Sequence, residues 1–535
     1  MVAITERMRN LIKQGQLLVT FNSYVDRPAK SSIHTQFNGK KIDEIPQLHV
    51  EVIEVPVGEE EKYKKLYEQH PEVRFVEYNV IWKLNYQPYM RVKCRHRLCG
   101  CLPNDPYYLE KIETSKDGLQ DQWGLQRINP EQAFCKVKNS RPITKIAILD
   151  SGIDPNHPDL KEKIMDPINF TSDDPEDYID ILGHGTSVAG IAAAVTNNQT
   201  GIASASYNTA YIVPVKVFAG GPKSITTTIL KGIMYAIEQK VDVMNMSFGS
   251  GAYSQNTQEA LEMAWDQGII SIAARGNDGS EQIDYPNCYN YVLSVSATNK
   301  LDRLASFSSW GTDVGITAPG VAILSTTPTY PLLGYQLNYD AADGTSFSTP
   351  FVSGVAAILR VIKPSASNQE IIQVIQRSAR SLDTKDKKWD PFYGYGLLNL
   401  SAAVQEIKRP QIPYGEYCNL LGSFYGQVVD SEGNPMGGIL IIAVDNRTGE
   451  SIRLYQTKCT ICQMGEEVSR QSDGMFRLFN LPGGNYSIYV RAVIPELRLI
   501  ESVDVVLGAD VYVKLVFPGE EENTTSGLER NKGNF

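Results

Sequence analysis

Along this chain the spacing of apolar and polar positions changes character twice, which divides it into three regions. Met1–Gln16 sets Ile4, Met8, Leu11 and Ile12 against Glu6, Arg7, Arg9 and Lys13, a pattern that suits a short amphipathic helix. Leu17–Phe21 is a mostly apolar run and predicts a strand, and a polar, helix-compatible stretch follows to Phe37. Leu48–Val55 alternates strictly, as a half-buried strand does, and Glu59–His70 brings Tyr63, Leu66 and Tyr67 to one helical face. Val73–Tyr78 closes as another strand, so residues 1–84 read as a small α/β unit.

From Ile143 to Val404 apolar runs alternate with helical periods. Strands are predicted at Ile146–Leu149, Tyr211–Val217, Val241–Met246, Ile269–Ala273 and Tyr291–Val295. Helices are predicted at Thr186–Val195, Thr226–Gln239, Gln255–Gln267, Thr349–Ile362 and Asn368–Ala379. Continuously apolar strands between helices imply a mostly parallel sheet covered on both faces, with reactive groups at the carboxyl ends of its strands. This α/β domain is assigned to 104–408. Beyond it, short alternating strands are broken by turns at Asp430–Pro435, Asn446–Gly449, Ser472–Gly474 and Pro482–Asn485. They predict an antiparallel β-sandwich over 423–518. Two linkers separate the domains. The segment 85–103 is basic (Arg91, Lys93, Arg95, Arg97), and 409–422 carries Pro410 and Pro413. The polar tail 519–535 is expected to be disordered.

A chain of 535 residues has room for about three or four domains. A net charge of −10 argues against nucleic acid or an anionic membrane surface as the partner. No apolar run approaches the roughly 18 residues of a membrane span. The first residues lack the apolar core and small-residue cleavage site of a signal peptide. Eight cysteines are too few for a disulfide scaffold. Cys94, Cys99 and Cys101 cluster in the first linker, Cys135 and Cys288 stand alone, and Cys418 lies in the second linker. Cys459-x-x-Cys462 has no second pair to complete a zinc site, so a local disulfide or free thiols are expected there.

Three stretches carry chemistry. Asp150 ends the apolar strand Ile146–Leu149 and precedes Ser151-Gly152. His184 stands in Gly183-His184-Gly185-Thr186, at the start of a small-residue helix. Ser346 stands in Gly344-Thr345-Ser346-Phe347-Ser348-Thr349-Pro350, with an apolar helix opening after it and Pro350 in its first turn. Alone, each has an ordinary reading: a cap, a structural histidine, an N-cap. Together they supply what acyl transfer needs. Imidazole takes the serine's proton near neutral pH, and a carboxylate fixes the imidazole tautomer.

Asp150-Ser151-Gly152, His184-Gly185-Thr186 and Gly344-Thr345-Ser346 with Thr349-Pro350 resemble the three signatures of subtilisin-like serine endopeptidases, over roughly Asn104–Val404. The flavour is thermitase-like, from Asn104-Asp105-Pro106-Tyr107 and Ala193–Ile202. The resemblance implies Ser346 as nucleophile, His184 as base then acid, and Asp150 as its orienting group. Ala273–Asp278, otherwise a plain turn after a strand, resembles the oxyanion stretch and implies Asn277 and the Ser346 N–H as donors. Ser247, Phe248 and Gly249 resemble the edge that pairs with an extended substrate, and with Ala274, Arg275 and Gly276 they would wall the primary pocket. The resemblance further implies structural Ca2+ held by Asp105, Asp159, Asn198 and the carbonyls of Val195, Thr200 and Ile202. Departures from the family pattern are Ser187 and Phe351 where histidine is usual, and Arg275 where a smaller residue is usual. Arg275 is expected to narrow the pocket or favour acidic substrate residues.

Residues 1–84 look like the inhibitory pro-domain of such enzymes, which makes 85–103 a processing segment cut by the enzyme itself. Gly426–Pro435, Ser472–Leu478 and Leu481–Tyr486 resemble carboxypeptidase regulatory-like (transthyretin-like) sandwiches, an accessory role. The expected function is therefore a self-processing serine endopeptidase acting on proteins or peptides, with its own pro-domain as inhibitor. A non-catalytic scaffold and a peptide ligase using the same acyl-enzyme are the alternatives. The family implies a secreted or extracytoplasmic location. With no signal peptide seen, the cytoplasm is the alternative.

Overall fold

A computed structural model describes residues 12–84, residues 102–408 with short breaks at 116–117, 253, 282–283, 290, 312 and 383–389, and most of the strands between 421 and 516. The processing segment (to 101), the tail, and every cysteine except Cys135 and Cys288 lie outside the described residues. The chain forms two compact units, Met1–Cys418 and Asn419–Phe535.

The first unit opens with β1 (Ile12–Phe21), α1 (Arg27–Phe37), β2 (Lys40–Ile45), β3 (Val50–Glu54), α2 (Glu60–Glu68) and β4 (Val73–Leu84). β1 begins at Ile12, so the helix expected through Gln16 does not extend over Ile12–Gln16. Ile12 pairs with Val80 and Gln16 with Glu54, and sheet pairing overrides a helical period too short to stand alone. Asp26 caps α1 by accepting from the Ala29 N–H at 2.9 Å.

The large sheet follows: β5 (Thr144–Asp150), β6 (Ile168–Asn169), α3 (His184–Ala193), β7 (Ala210–Lys216), β8 (Lys223–Ile225), α4 (Thr226–Glu238), β9 (Val243–Met246), β10 (Phe248–Gly249), α5 (Gln255–Asp266), β11 (Ile270–Ala274), β12 (Val292–Thr298), β13 (Val314–Pro319), α6 (Thr345–Ile362), α7 (Asn368–Arg377) and α8 (Leu400–Ile407). Seven strands run parallel in the order β13-β12-β11-β9-β5-β7-β6. The chain winds outward in opposite directions from the β5–β9 pair, and a crevice opens where the winding reverses. Asp150 ends β5 and Ser247 follows β9, so both stand at that crevice. β13 and α8 were not read from the sequence. The edge strand β13 carries Gly315 and ends in Pro319, which weakens its apolar signal.

Helix α6 begins at Thr345, not Thr349, so Ser346 lies in its first turn and Pro350 lies inside it. By length and composition α6 is apolar enough to cross a membrane, yet 83% of it is buried in the domain core. Pairing at its sides comes from the sheet and from α3, α7 and α8.

The second unit contains β14 (Leu421–Val429), β15 (Leu440–Asp445), β16 (Glu450–Gln456), β17 (Met475–Pro482), β18 (Gly484–Arg491), β19 (Arg498–Val505) and β20 (Asp510–Val516). They form two sheets, β17-β14-β20 and β16-β15-β18-β19. Pairing is antiparallel except between β14 and β20, which run parallel.

Candidate active site

Asp150 and His184 meet because two backbones approach closely. A Cβ on Gly185 would lie 2.1 Å from the Gly152 carbonyl, so only glycine lets α3 press against the end of β5. Gly183, at φ 81°, turns the chain into that helix. His184 then opens α3, and its Nδ1 sits 2.7 Å from Asp150 Oδ1. Both side chains are fully buried. Asp150 Oδ1 also accepts from the Ser151 N–H at 2.8 Å.

A second carboxylate, missed in the sequence, underpins this contact. Asp180 accepts from Ser151 Oγ (2.8 Å), Thr186 Oγ1 (2.7 Å) and the N–H groups of Leu182, Gly183 and Thr186. Burial raises its pKa, hydrogen bonds from Thr186 and Ser151 oppose that, and nearby Asp150 adds to the rise. The readable signal was an acid four residues before His184, placed to serve orphan N–H groups at a helix start.

Ser346 reaches the same place from the facing helix. The ring of its neighbour Phe347 packs against the His184 ring at 5.6 Å. Ser346 Oγ donates to the Ser247 carbonyl at 3.0 Å. Asn277 follows β11, and its Oδ1 accepts from both the N–H and the hydroxyl of Thr345 at 2.9 Å. An N–H can only donate, so Thr345 fixes which end of the Asn277 amide is oxygen and turns Nδ2 the other way. Thr345 itself accepts from the Gly276 N–H at 3.2 Å. The sequence pointed to Asn277 and gave no sign of this clamp.

The end of β4 lies along the two strands beside these residues. β4 lies between β8 and β10, antiparallel to both: Ile81 pairs with Ile225, Trp82 with Ser224, Lys83 with Gly249 and Leu84 with Phe248. Phe248 is buried beneath Trp82, whose ring meets it edge-on at 5.8 Å. Buried Glu77 accepts from Ser254 Oγ and Asn256 Nδ2, both at 2.8 Å, and so serves the start of α5 from outside. Asn79 does the same for α4, accepting from the Thr227 N–H at 3.1 Å.

Arg275 departs from expectation. Its side chain is 1% exposed, its Nε lies 2.7 Å from Asp313 and its guanidinium donates to the Trp310 carbonyl at 2.7 Å. A buried guanidinium needs a buried counter-charge, and Asp313 supplies it from inside the domain. The charge is not offered to an acidic substrate residue.

Asp105 and Asp159 converge on the loop containing Val195, Asn198, Thr200 and Ile202. Asp105 accepts from the Asn197 N–H at 2.8 Å. Asp159 accepts from Asn198 Nδ2 (2.7 Å), the Ile202 N–H (3.0 Å) and Tyr339 OH (3.0 Å), and its carbonyl accepts from Val195. Burial pushes the Asp105 carboxyl up to about 6, and Asp159 adds to this. Two mutually repelling buried carboxylates beside a turning loop suit a hard cation that fills its shell with amide oxygens. Among the described residues no group of three or more His, Cys, Asp or Glu is placed to hold a metal.

Cys135 is disulfide-bonded rather than alone. Cys288 is a free, buried thiol.

Comparison with known proteins covers both parts of the first unit. Residues 143–396 match the subtilase family and residues 12–79 match the fervidolysin N-terminal prodomain. The thermophilic serine proteinase of Bacillus sp. (strain AK1) is 32% identical over 391 residues, 73% of this chain and 87% of that protein. Thermitase of Thermoactinomyces vulgaris is 36% identical over 305 residues, 57% of this chain and 99% of its own. The crystal structure of fervidolysin from Fervidobacterium pennivorans, described as a keratinolytic enzyme related to subtilisin, superposes with a TM-score of 0.73 at 25% identity. That superposition covers 94% of this chain and 78% of fervidolysin.

Proposed function

The chain belongs to the subtilase family of serine proteases, and on that premise we propose how its residues divide the work of peptide-bond hydrolysis. Ser346 Oγ attacks the scissile carbonyl while His184 Nε2 takes its proton. His184 then returns that proton to the leaving amine, and water repeats the sequence to release the acyl group. Asp150 holds the imidazole tautomer through Nδ1 and offsets the imidazolium charge. Asn277 Nδ2 and the Ser346 N–H donate to the oxyanion. The observation that carries this reading is the 2.7 Å contact of Asp150 with His184, opposite a serine in the first turn of α6.

Substrate backbone would take the strand position that 81–84 now holds between β8 and β10, bound as an added β-strand. The protein is a hydrolase with a prodomain and acts on protein substrates. That it cuts itself within 85–103 is our proposal, as are the domain boundaries set out above. Asp105, Asp159, Asn198 and the carbonyls of Val195, Thr200 and Ile202 would hold Ca2+. The ion would supply the positive charge the two carboxylates need. The strands of 423–518 are proposed as a carboxypeptidase regulatory-like accessory domain.

An extracytoplasmic location is our proposal, resting on the resemblance to the subtilase relatives. The intracellular serine protease of Paenibacillus polymyxa, 37% identical over 280 residues, speaks for the cytoplasmic alternative. The deciding experiment is fluorophosphonate labelling of the processed chain followed by peptide mapping. A tag on Ser346 is expected, and no tag means a scaffold. Product masses then separate hydrolysis from ligation.

A further inference from the structure

The two walls assigned to the primary pocket are joined at one end. Ser250 and Tyr285 exchange backbone hydrogen bonds at 2.8 Å, which ties the Ser247–Gly249 wall to residues 284–287. Asn287 Nδ2 donates to the Ala274 carbonyl at 3.2 Å, which ties the other wall to the same segment. This segment therefore joins the two walls, and it carries a carboxylate, Asp284. A Cβ placed on Gly276 would lie 3.5 Å from Asp284 Oδ2 and 3.4 Å from Ser309 Oγ. A side chain entering between these walls past Gly276 would approach those atoms.

We propose that Asp284 selects lysine or arginine at the residue whose carbonyl Ser346 attacks. This rests on the proteolytic reading above and names its substrate class.

The charge around Asp284 agrees. Arg275 is the nearby cation, and it is committed to Asp313 and buried. Asp313, Asp284 and Glu281 all act on that one guanidinium, and exposed Asp278 adds a further negative charge toward Asp284. Several carboxylates facing one cation leave this segment acidic. Burial pushes the Asp284 carboxyl up to about 7, Arg275 opposes that, and Asp278 and Asp313 add to it. An arriving guanidinium or ammonium adds positive charge where carboxylates outnumber cations, whereas a glutamate meets repulsion and a leucine brings no charge. The chain's own processing segment is rich in such side chains, at Arg91, Lys93, Arg95 and Arg97.

The test uses the full chain after its own processing. Fluorophosphonate titration counts active sites, and peptides differing only in Arg, Lys, Leu, Phe or Glu at this position are compared. Arg and Lys are expected to exceed Leu and Phe in kcat/KM by at least about tenfold, with Glu lowest. Asp284→Asn should lower the Arg/Leu and Lys/Leu ratios of kcat/KM by about tenfold or more. A titrated enzyme that prefers Leu, Phe or Glu overturns the assignment. So does an Asp284→Asn enzyme that loses every substrate equally. Absence of any titratable site overturns the proteolytic reading instead, and this assignment with it. If Asp284→Asn does not fold, the wild-type preference and Asp284→Gly decide.

Discussion

Ser247 and Ser346 exchange hydrogen bonds: each hydroxyl donates to the other's backbone carbonyl at 3.0 Å. Pro350 explains one half of this. A helix carbonyl ordinarily accepts from the N–H four residues on, and for Ser346 that residue is Pro350, which has none. The Ser247 hydroxyl serves the Ser346 carbonyl instead, which lets a proline sit inside α6. Ser247→Ala should therefore destabilise the protein by about 1–3 kcal/mol. Calorimetry in a Ser346→Ala background, where self-digestion is blocked, checks this; an unchanged midpoint would show that the bond contributes nothing.

Ser346→Ala should leave the chain at full length, because the cut within 85–103 is assigned to the chain's own active site. Gel analysis and N-terminal sequencing of purified protein check it. Processing of the mutant at the wild-type rate would rule out self-cleavage.

Thr345 aims the Asn277 amide by filling its oxygen side. Thr345→Val removes the hydroxyl and keeps the N–H, so kcat should fall by about tenfold with KM little changed. Asn277→Ala should cost about 10²–10³-fold in kcat, a magnitude established on subtilisin itself. Steady-state kinetics on one peptide separate the two terms. A rise in KM alone would mean Thr345 serves binding.

The prodomain core holds a carboxylate that should make it acid-labile. Glu51 is buried, and burial pushes its pKa up, yet hydrogen bonds from His34 and Lys41 outweigh this and leave it below its ordinary 4.5. His34 Nε2 lies 2.6 Å away and Lys41 Nζ 2.8 Å away. A depressed carboxylate binds fewer protons folded than unfolded. Its stabilisation is therefore fully present above pH 4.5 and disappears as pH falls through the folded value. Inhibition by the prodomain should weaken below about pH 4.5. In Glu51→Gln that acid dependence should flatten and the prodomain should be weaker already at neutral pH. Residual activity of the uncut chain across pH, read on a small peptide, checks this.

Chelation should lower the unfolding temperature, and Ca2+ at about 100 times its dissociation constant should restore about 2.7 kcal/mol. Asp105→Asn should abolish the response. A calcium-independent midpoint in the wild-type chain would contradict the assigned site.

The chemistry-bearing residues and the parallel sheet were legible in the chain because they depend on local pattern. Asp150 closes an apolar strand, His184 opens a small-residue helix, and Gly344–Pro350 marks a turn into an apolar helix. Strand and helix periods at 146–149, 211–217 and 226–239 needed only neighbouring residues to be read. What required the tertiary structure is whatever depends on a partner far away in sequence. Arg275 reads in the sequence as a charge for substrates, but Asp313, 38 positions on in the numbering, holds it inside the domain. Asp180 became a support for the His184 loop only once its five donors converged. Thr345 acts through Asn277, 68 residues away. Asp284 gained a role only when the backbone bridge to Ser250 tied its segment to the pocket wall. A side chain's type is written locally, but its burial and its counter-charge are set by the fold. Those two decide whether a charge holds the protein together or meets a substrate.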